Sequence, residues 1–154
     1  MWCRVGRQVM INTPGNNKRA YGLGAVNYFT GETVMITRDH KRRTEVVELL
    51  MAILEKHQTG TIYLVLDNCN THSGKEINTV LKEANGRLVL LYLPTYSPWL
   101  NPIERLWQVM RYAVTHGELF ESLEALLAVF LAYFETVPPH VVLSAINKKV
   151  AEPV

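Results

Sequence analysis

Short apolar runs separated by turn residues open the chain. Residues 8–13 form one such run, ended by the loop signal Pro14-Gly15-Asn16-Asn17. Residues 21–29 and 33–38 flank Thr30-Gly31-Glu32 and predict a β-hairpin with a glycine turn. Helical spacing then takes over. A helix capped by Thr44 carries Val46, Val47, Leu50, Ile53 and Leu54 on one face, with Gly60 beyond its end.

From residue 61 strands and helices alternate. Residues 61–66 (T-I-Y-L-V-L) are a near-continuous apolar run, the pattern of a strand buried on both faces. Ser73 and Glu76 have capping-box spacing ahead of a helix bearing Ile77, Val80, Leu81 and Ala84, which Asn85-Gly86 stops. Residues 87–93 predict a second buried strand. Asn101-Pro102 opens a helix with the stripe Ile103, Leu106, Trp107, Met110 and Val114, and Gly117 follows it. Ser122 caps a last long helix with Leu123, Leu126, Leu127 and Phe130 inward, ended by Pro138-Pro139. A hairpin followed by strand–helix–strand–helix predicts an α/β fold, a mixed sheet covered by helices.

Composition narrows the class. The 154 residues are 48% hydrophobic and 19% charged, enough apolar material for one domain with a core and unlike a disordered or fibrous chain. The net charge is +2, so any nucleic-acid contact must be local rather than a property of the whole surface. Cys3 and Cys69 lack metal-ligand spacing and suit a reducing compartment. No run reaches eighteen apolar residues; residues 123–134 are the longest and contain Glu124. The expected setting is cytoplasmic, with no membrane partner.

Two carboxylates are candidates for chemistry. Asp67 follows a predicted buried strand, where open α/β sheets place ligand and catalytic groups. Asn68 and His72 follow in D-N-C-N-T-H. A turn in which Asp67 and Asn70 merely satisfy backbone donors explains the same residues, and His72 alone reads as a surface or capping residue. Glu104 has an ordinary explanation too, as the third residue of a helix opened by Asn101 and Pro102. It falls beside the apolar stripe, on the face of Gln108 and Arg111. The segment L-P-T-Y-S-P-W-L-N-P-I-E-R-L-W, with its proline turns, is more constrained than a connection requires and would aim Glu104 back toward Asp67. Two converging carboxylates repel unless a proton or cation lies between them. The hard, oxygen-preferring ion for such a pair is Mg²⁺ or Mn²⁺, suited to phosphodiester chemistry.

The segments L-V-L-D-N-C-N-T-H and L-P-T-Y-S-P-W-L-N-P-I-E-R-L-W resemble the second and third catalytic blocks of DDE transposases. The likeness is to the bacterial insertion-sequence branch of the mariner-like superfamily. It rests on Asp at a strand end, His five residues later, and Y-S-P-x-L-N-P-I-E with 36 residues between Asp67 and Glu104. V-T-H-G-E-L-F-E-S-L resembles the downstream helical tail, and the likeness covers nearly the whole chain.

The resemblance implies a single ribonuclease-H-like domain over residues 1–154. Asp67 and Glu104 would be the second and third of three metal-binding catalytic acids, acting with Mg²⁺ or Mn²⁺ on transposon ends and target DNA. It also places the first strand, with the first acid, ahead of the Trp2–Gly6 stretch and so before Met1. Neither Glu32 in the hairpin turn nor Asp39 in the charged loop R-D-H-K-R-R is a natural replacement. The expectation is therefore a truncated domain that binds metal weakly and cleaves DNA poorly alone; the alternative is a non-catalytic regulator that binds DNA or pairs with full-length transposase. An absent central strand would leave unpaired edges, to be filled by residues 3–12 or by a second copy. A homodimer is the expected form. Arg38, Lys41, Arg42 and Arg43 would contact phosphate or form a solvated loop.

Overall fold

The structure, a computed structural model, describes residues 19–69, 72–94 and 100–147. The expected strand at residues 8–13 and the Tyr96-Ser97-Pro98 turn lie outside these residues. Strands β1 (Tyr21–Val26) and β2 (Thr33–Arg38) pair antiparallel, from Tyr21 opposite Arg38 to Val26 opposite Thr33. β1 stops at Val26 rather than at residue 29 because Asn27 begins a turn. Its Oδ1 accepts the N–H groups of Phe29 (2.9 Å) and Thr30 (3.1 Å). Gly31 closes the turn at φ +75°, where a Cβ would lie 2.5 Å from the Pro139 carbonyl oxygen.

The two-residue alternation of the hairpin divides its faces. Leu23, Ala25, Val34 and Ile36 pack into one core with helix α1 (Arg43–Lys56). Gly22, Gly24 and Met35 point the other way, toward Trp107 and Phe130. A Cβ on Gly22 would come 2.9 Å from Phe130 Cζ, and one on Gly24 would come 3.3 Å from the Trp107 ring. Two glycines thus make the flat seat that lets aromatic rings lie on the strand.

Helix α1 starts two residues earlier than a Thr44 cap predicts. Arg42 is the N-cap, and its N–H donates to Glu45 Oε2 at 2.8 Å, while Thr44 Oγ1 donates to the same oxygen at 2.9 Å. Desolvation raises the Glu45 pKa, but hydrogen bonds from its own N–H, Thr44 and Arg42 outweigh this and hold the carboxyl below its ordinary value. The carboxylate, not the threonine, organises the first turn.

Strands β3 (Ile62–Leu66) and β4 (Leu88–Tyr92) pair in parallel around helix α2 (Lys75–Glu83). Leu64, Leu88 and Leu90 join the core formed with α1 and α2. The opposite face is open: Tyr63 is 66% exposed, Val65 46% and Leu91 45%. The apolar run therefore does not mean burial on both faces. Helices α1 and α2 pack together on one side, whereas the later helices lie against the hairpin. Among the described residues the hairpin and the parallel pair are separate two-stranded sheets. Helix α2 is not opened by the Ser73–Glu76 box. Gly74 is its N-cap, at φ +135°, and Glu76 turns to Arg43 Nη1 at 3.4 Å.

Helices α3 (Ile103–Thr115), α4 (Leu123–Thr136) and α5 (Pro139–Ile146) build a second core around Leu106, Val142 and Ile146. Trp107 stacks on Phe130 at 6.0 Å and meets Phe134 edge-on at 5.7 Å. Ser122 Oγ accepts the Ala125 N–H at 3.0 Å, as the sequence predicts. The inward face of α4 is shifted, however. Leu126, Phe130, Tyr133 and Phe134 pack into this core beside Trp107, whereas Leu123 and Leu127 are half-buried and are not part of it. Pro138-Pro139 ends α4 and also begins α5, with Pro139 at its first position. Arg105 Nη1 donates to the Ile146 carbonyl at 2.9 Å and satisfies the end of α5. Among the described residues no single helix is long and apolar enough to cross a membrane.

Candidate active site

Asp67 is the first residue past β3. The parallel ladder continues beside it, since the Leu93 N–H donates to the Leu66 carbonyl at 2.8 Å. This fixes the backbone of the position while leaving the side chain 51% exposed. The loop then folds back. His72 Nδ1 lies 2.7 Å from Asp67 Oδ1 and 2.9 Å from the Asp67 carbonyl oxygen. Both oxygens can only accept when the carboxylate is ionised, so Nδ1 carries the proton. One carboxylate oxygen is thereby held, and the other has no partner among the described residues.

His72 is itself held. Its N–H donates to the Cys69 carbonyl at 2.9 Å, and Tyr92 Oη, from the end of β4, donates to its carbonyl at 2.7 Å. Its side chain is only 16% exposed. The sequence pattern identified His72 but not its grip on Asp67, and it gave Tyr92 no role. The available signal was a tyrosine at the end of the strand that neighbours Asp67's own.

Glu104 stands on different support. Asn101 Oδ1 accepts the Ile103 N–H at 3.3 Å, and the Glu104 N–H donates to the Asn101 carbonyl at 3.2 Å. Helix α3 starts one residue later than Asn101-Pro102 predicts, with Pro102 in place of Asn101 at the N-cap and Glu104 as its second residue, while Asn101 bridges to the first turn from just outside it. Ile103, Leu106, Met110 and Val114 are buried, while Glu104, Gln108 and Arg111 are exposed beside that stripe. Among the described residues the Glu104 carboxylate has no hydrogen bond or ion pair, and no group of three or more His, Cys, Asp or Glu is placed to hold a metal ion. Glu32 stays in the hairpin turn, accepting from Thr30 Oγ1 at 3.1 Å. Asp39 lines a separate open cleft with Arg19 and Arg42.

The sequence model of the DDE superfamily endonuclease matches residues 1–127. The chain belongs to this family. Over 139 residues the DDE chain is 33% identical to the insertion element IS630 uncharacterized 39 kDa protein of Shigella sonnei, a match spanning 90% of this chain and 40% of that protein. The chain thus spans about two fifths of this curated relative. Its fold is similar to the Mos1 transposase paired-end complex with the left transposon end (TM-score 0.67, 16% identity, 96% of this chain, 46% of that one). It is also similar to the Mos1 transposase catalytic domain solved with raltegravir and Mg (TM-score 0.57, 16% identity, 84% and 76%). The α/β arrangement is accordingly the ribonuclease-H-like fold of transposase catalytic domains.

Proposed function

We propose that this DDE domain takes part in DNA cleavage and strand transfer at transposon ends, through divalent-metal-assisted phosphodiester chemistry. Asp67 and Glu104 are the residues that would hold Mg²⁺ or Mn²⁺. Their donors suit such an ion, being hard carboxylate oxygens, of which one on Asp67 and two on Glu104 have no partner among the described residues. A bound ion would activate the attacking oxygen and stabilise the leaving one. The chain's own part is positional: His72 orients Asp67, and the first turn of α3 presents Glu104 on an exposed face. The observation that carries the reading is the exposed carboxylate at the end of β3, held through one oxygen among the described residues, in a member of the DDE family.

Two acids offer fewer anionic ligands than the three the family resemblance implies. Metal binding by the 154-residue chain is therefore weak, and its cleavage of DNA alone is slow. A homodimer is the proposed form, supported by the exposed Tyr63, Val65 and Leu91 on the parallel pair. Sedimentation at micromolar concentration checks this; a monomer at every concentration contradicts it. The activity is tested by Mn²⁺-dependent nicking of duplex DNA. Weak nicking lost in Asp67→Asn and in Glu104→Gln supports the assignment. Nicking untouched by both substitutions contradicts it.

A further inference from the structure

We propose that the open cleft lined by Arg19, Tyr21, Asp39, His40, Lys41 and Arg42 binds the phosphodiester backbone of duplex DNA. The site rests on the proposed action on DNA and names where the strand is held. In sequence, Arg38, Lys41, Arg42 and Arg43 form one basic cluster, but the fold divides it. Arg38 Nε pairs with Glu48 Oε2 at 2.7 Å, and Arg43 Nη1 with Glu76 Oε2 at 3.4 Å. Arg19, Lys41 and Arg42 have no ion pair among the described residues, and all three are exposed along the cleft. Against the carboxylates of Asp39, in the cleft, and of Glu45, which faces the Arg42 charge at the start of α1, they leave one net positive charge.

The cleft is open, so it cannot exclude water around a small phosphate ester. A polyanion differs, because neutralising successive phosphates releases condensed counterions and needs no enclosed pocket. The start of α1 does not serve as the anion site, since the Glu45 carboxylate already occupies it. The cleft's position also fits. Arg43, next to Arg42 in the chain, packs on Gly74, where a Cβ would lie 2.6 Å from its Nε. Gly74 is two residues beyond His72, so the arginine that follows the cleft residues in the chain touches the segment after the Asp67 loop.

The test is the salt dependence of binding to a fluorescently labelled duplex of mixed sequence, read by anisotropy. Each phosphate neutralised contributes about 0.9 to the log–log slope, so Arg19→Gln/Lys41→Gln/Arg42→Gln lowers its magnitude by about 2–3. Affinity at low salt falls by at least about tenfold. Arg38→Gln, which removes a paired charge, leaves the slope unchanged, and Arg19→Lys/Arg42→Lys retains it. An unchanged slope in the triple variant overturns the site, as does an equal loss per charge removed in Arg38→Gln. If the unaltered chain binds no duplex at low salt, the proposed action on DNA falls together with the site. If it binds duplex and only the triple variant behaves as wild type, the site alone falls.

Discussion

Asp67 and Glu104 are held by opposite means. The Asp67 carboxylate is fixed by polar contacts at short range, through His72 Nδ1, the Cys69 carbonyl and Tyr92 Oη. Glu104 makes no such contact among the described residues and takes its place from the register of α3, whose buried stripe is anchored by Leu106 at 1% exposure. The end of a strand offers no side-chain packing to orient a residue, so hydrogen bonds must do it. A helix fixes direction by packing one face, and the neighbouring face is oriented without partners of its own. The proposed site would therefore have two kinds of vulnerability: Asp67 fails through its polar partners, Glu104 through the core.

The largest effect expected from this contrast is on the helical side. Leu106→Ala removes a fully buried side chain from the second core and costs about 2–5 kcal/mol in urea denaturation. A cost below about 1 kcal/mol would mean that α3 is anchored elsewhere. On the polar side, His72→Ala releases the Asp67 carboxylate and weakens Mn²⁺ binding by about tenfold. His72→Asn, which supplies a donor near the position of Nδ1, recovers most of that loss. If alanine and asparagine behave alike, the imidazole does not orient Asp67. Asn101→Ala removes the side-chain acceptor of the Ile103 N–H just ahead of α3 and costs about 1 kcal/mol of stability, measured by thermal melting. Tyr92→Phe is the mildest change. It removes one hydrogen bond to a backbone carbonyl, lowers stability by about 0.5–1.5 kcal/mol, and reduces Mn²⁺ affinity less than His72→Ala does.

The helical support was legible in the sequence and the polar support largely was not. The Ile103, Leu106, Met110 and Val114 spacing, the start of α3 to within one residue of that expected from Asn101-Pro102, and the Ser122 cap all follow from local chemistry within one or two turns. The end of β3 at Asp67 was visible for the same reason. What escaped were interactions closed by tertiary structure. Tyr92 reaches His72 across 20 residues, and Arg43 claims Glu76 across 33, which dissolves a plausible capping box. The exposed face of β3 also could not be read from its apolar run, because the run does not say on which side helices pack. Gly22 and Gly24 were readable only as strand glycines until Trp107 and Phe130 lay on them.

That two differently supported carboxylates serve one divalent ion is the central claim, and a Mn²⁺ titration followed by calorimetry tests it most directly. It compares the unaltered chain with Asp67→Asn, Glu104→Gln and the double variant. A shared site predicts that each single substitution abolishes most of the binding and that the double variant loses little more, since the ion needs both groups at once. Two independent losses that add in the double variant, or binding indifferent to Glu104→Gln, would show that the carboxylates do not meet on one ion.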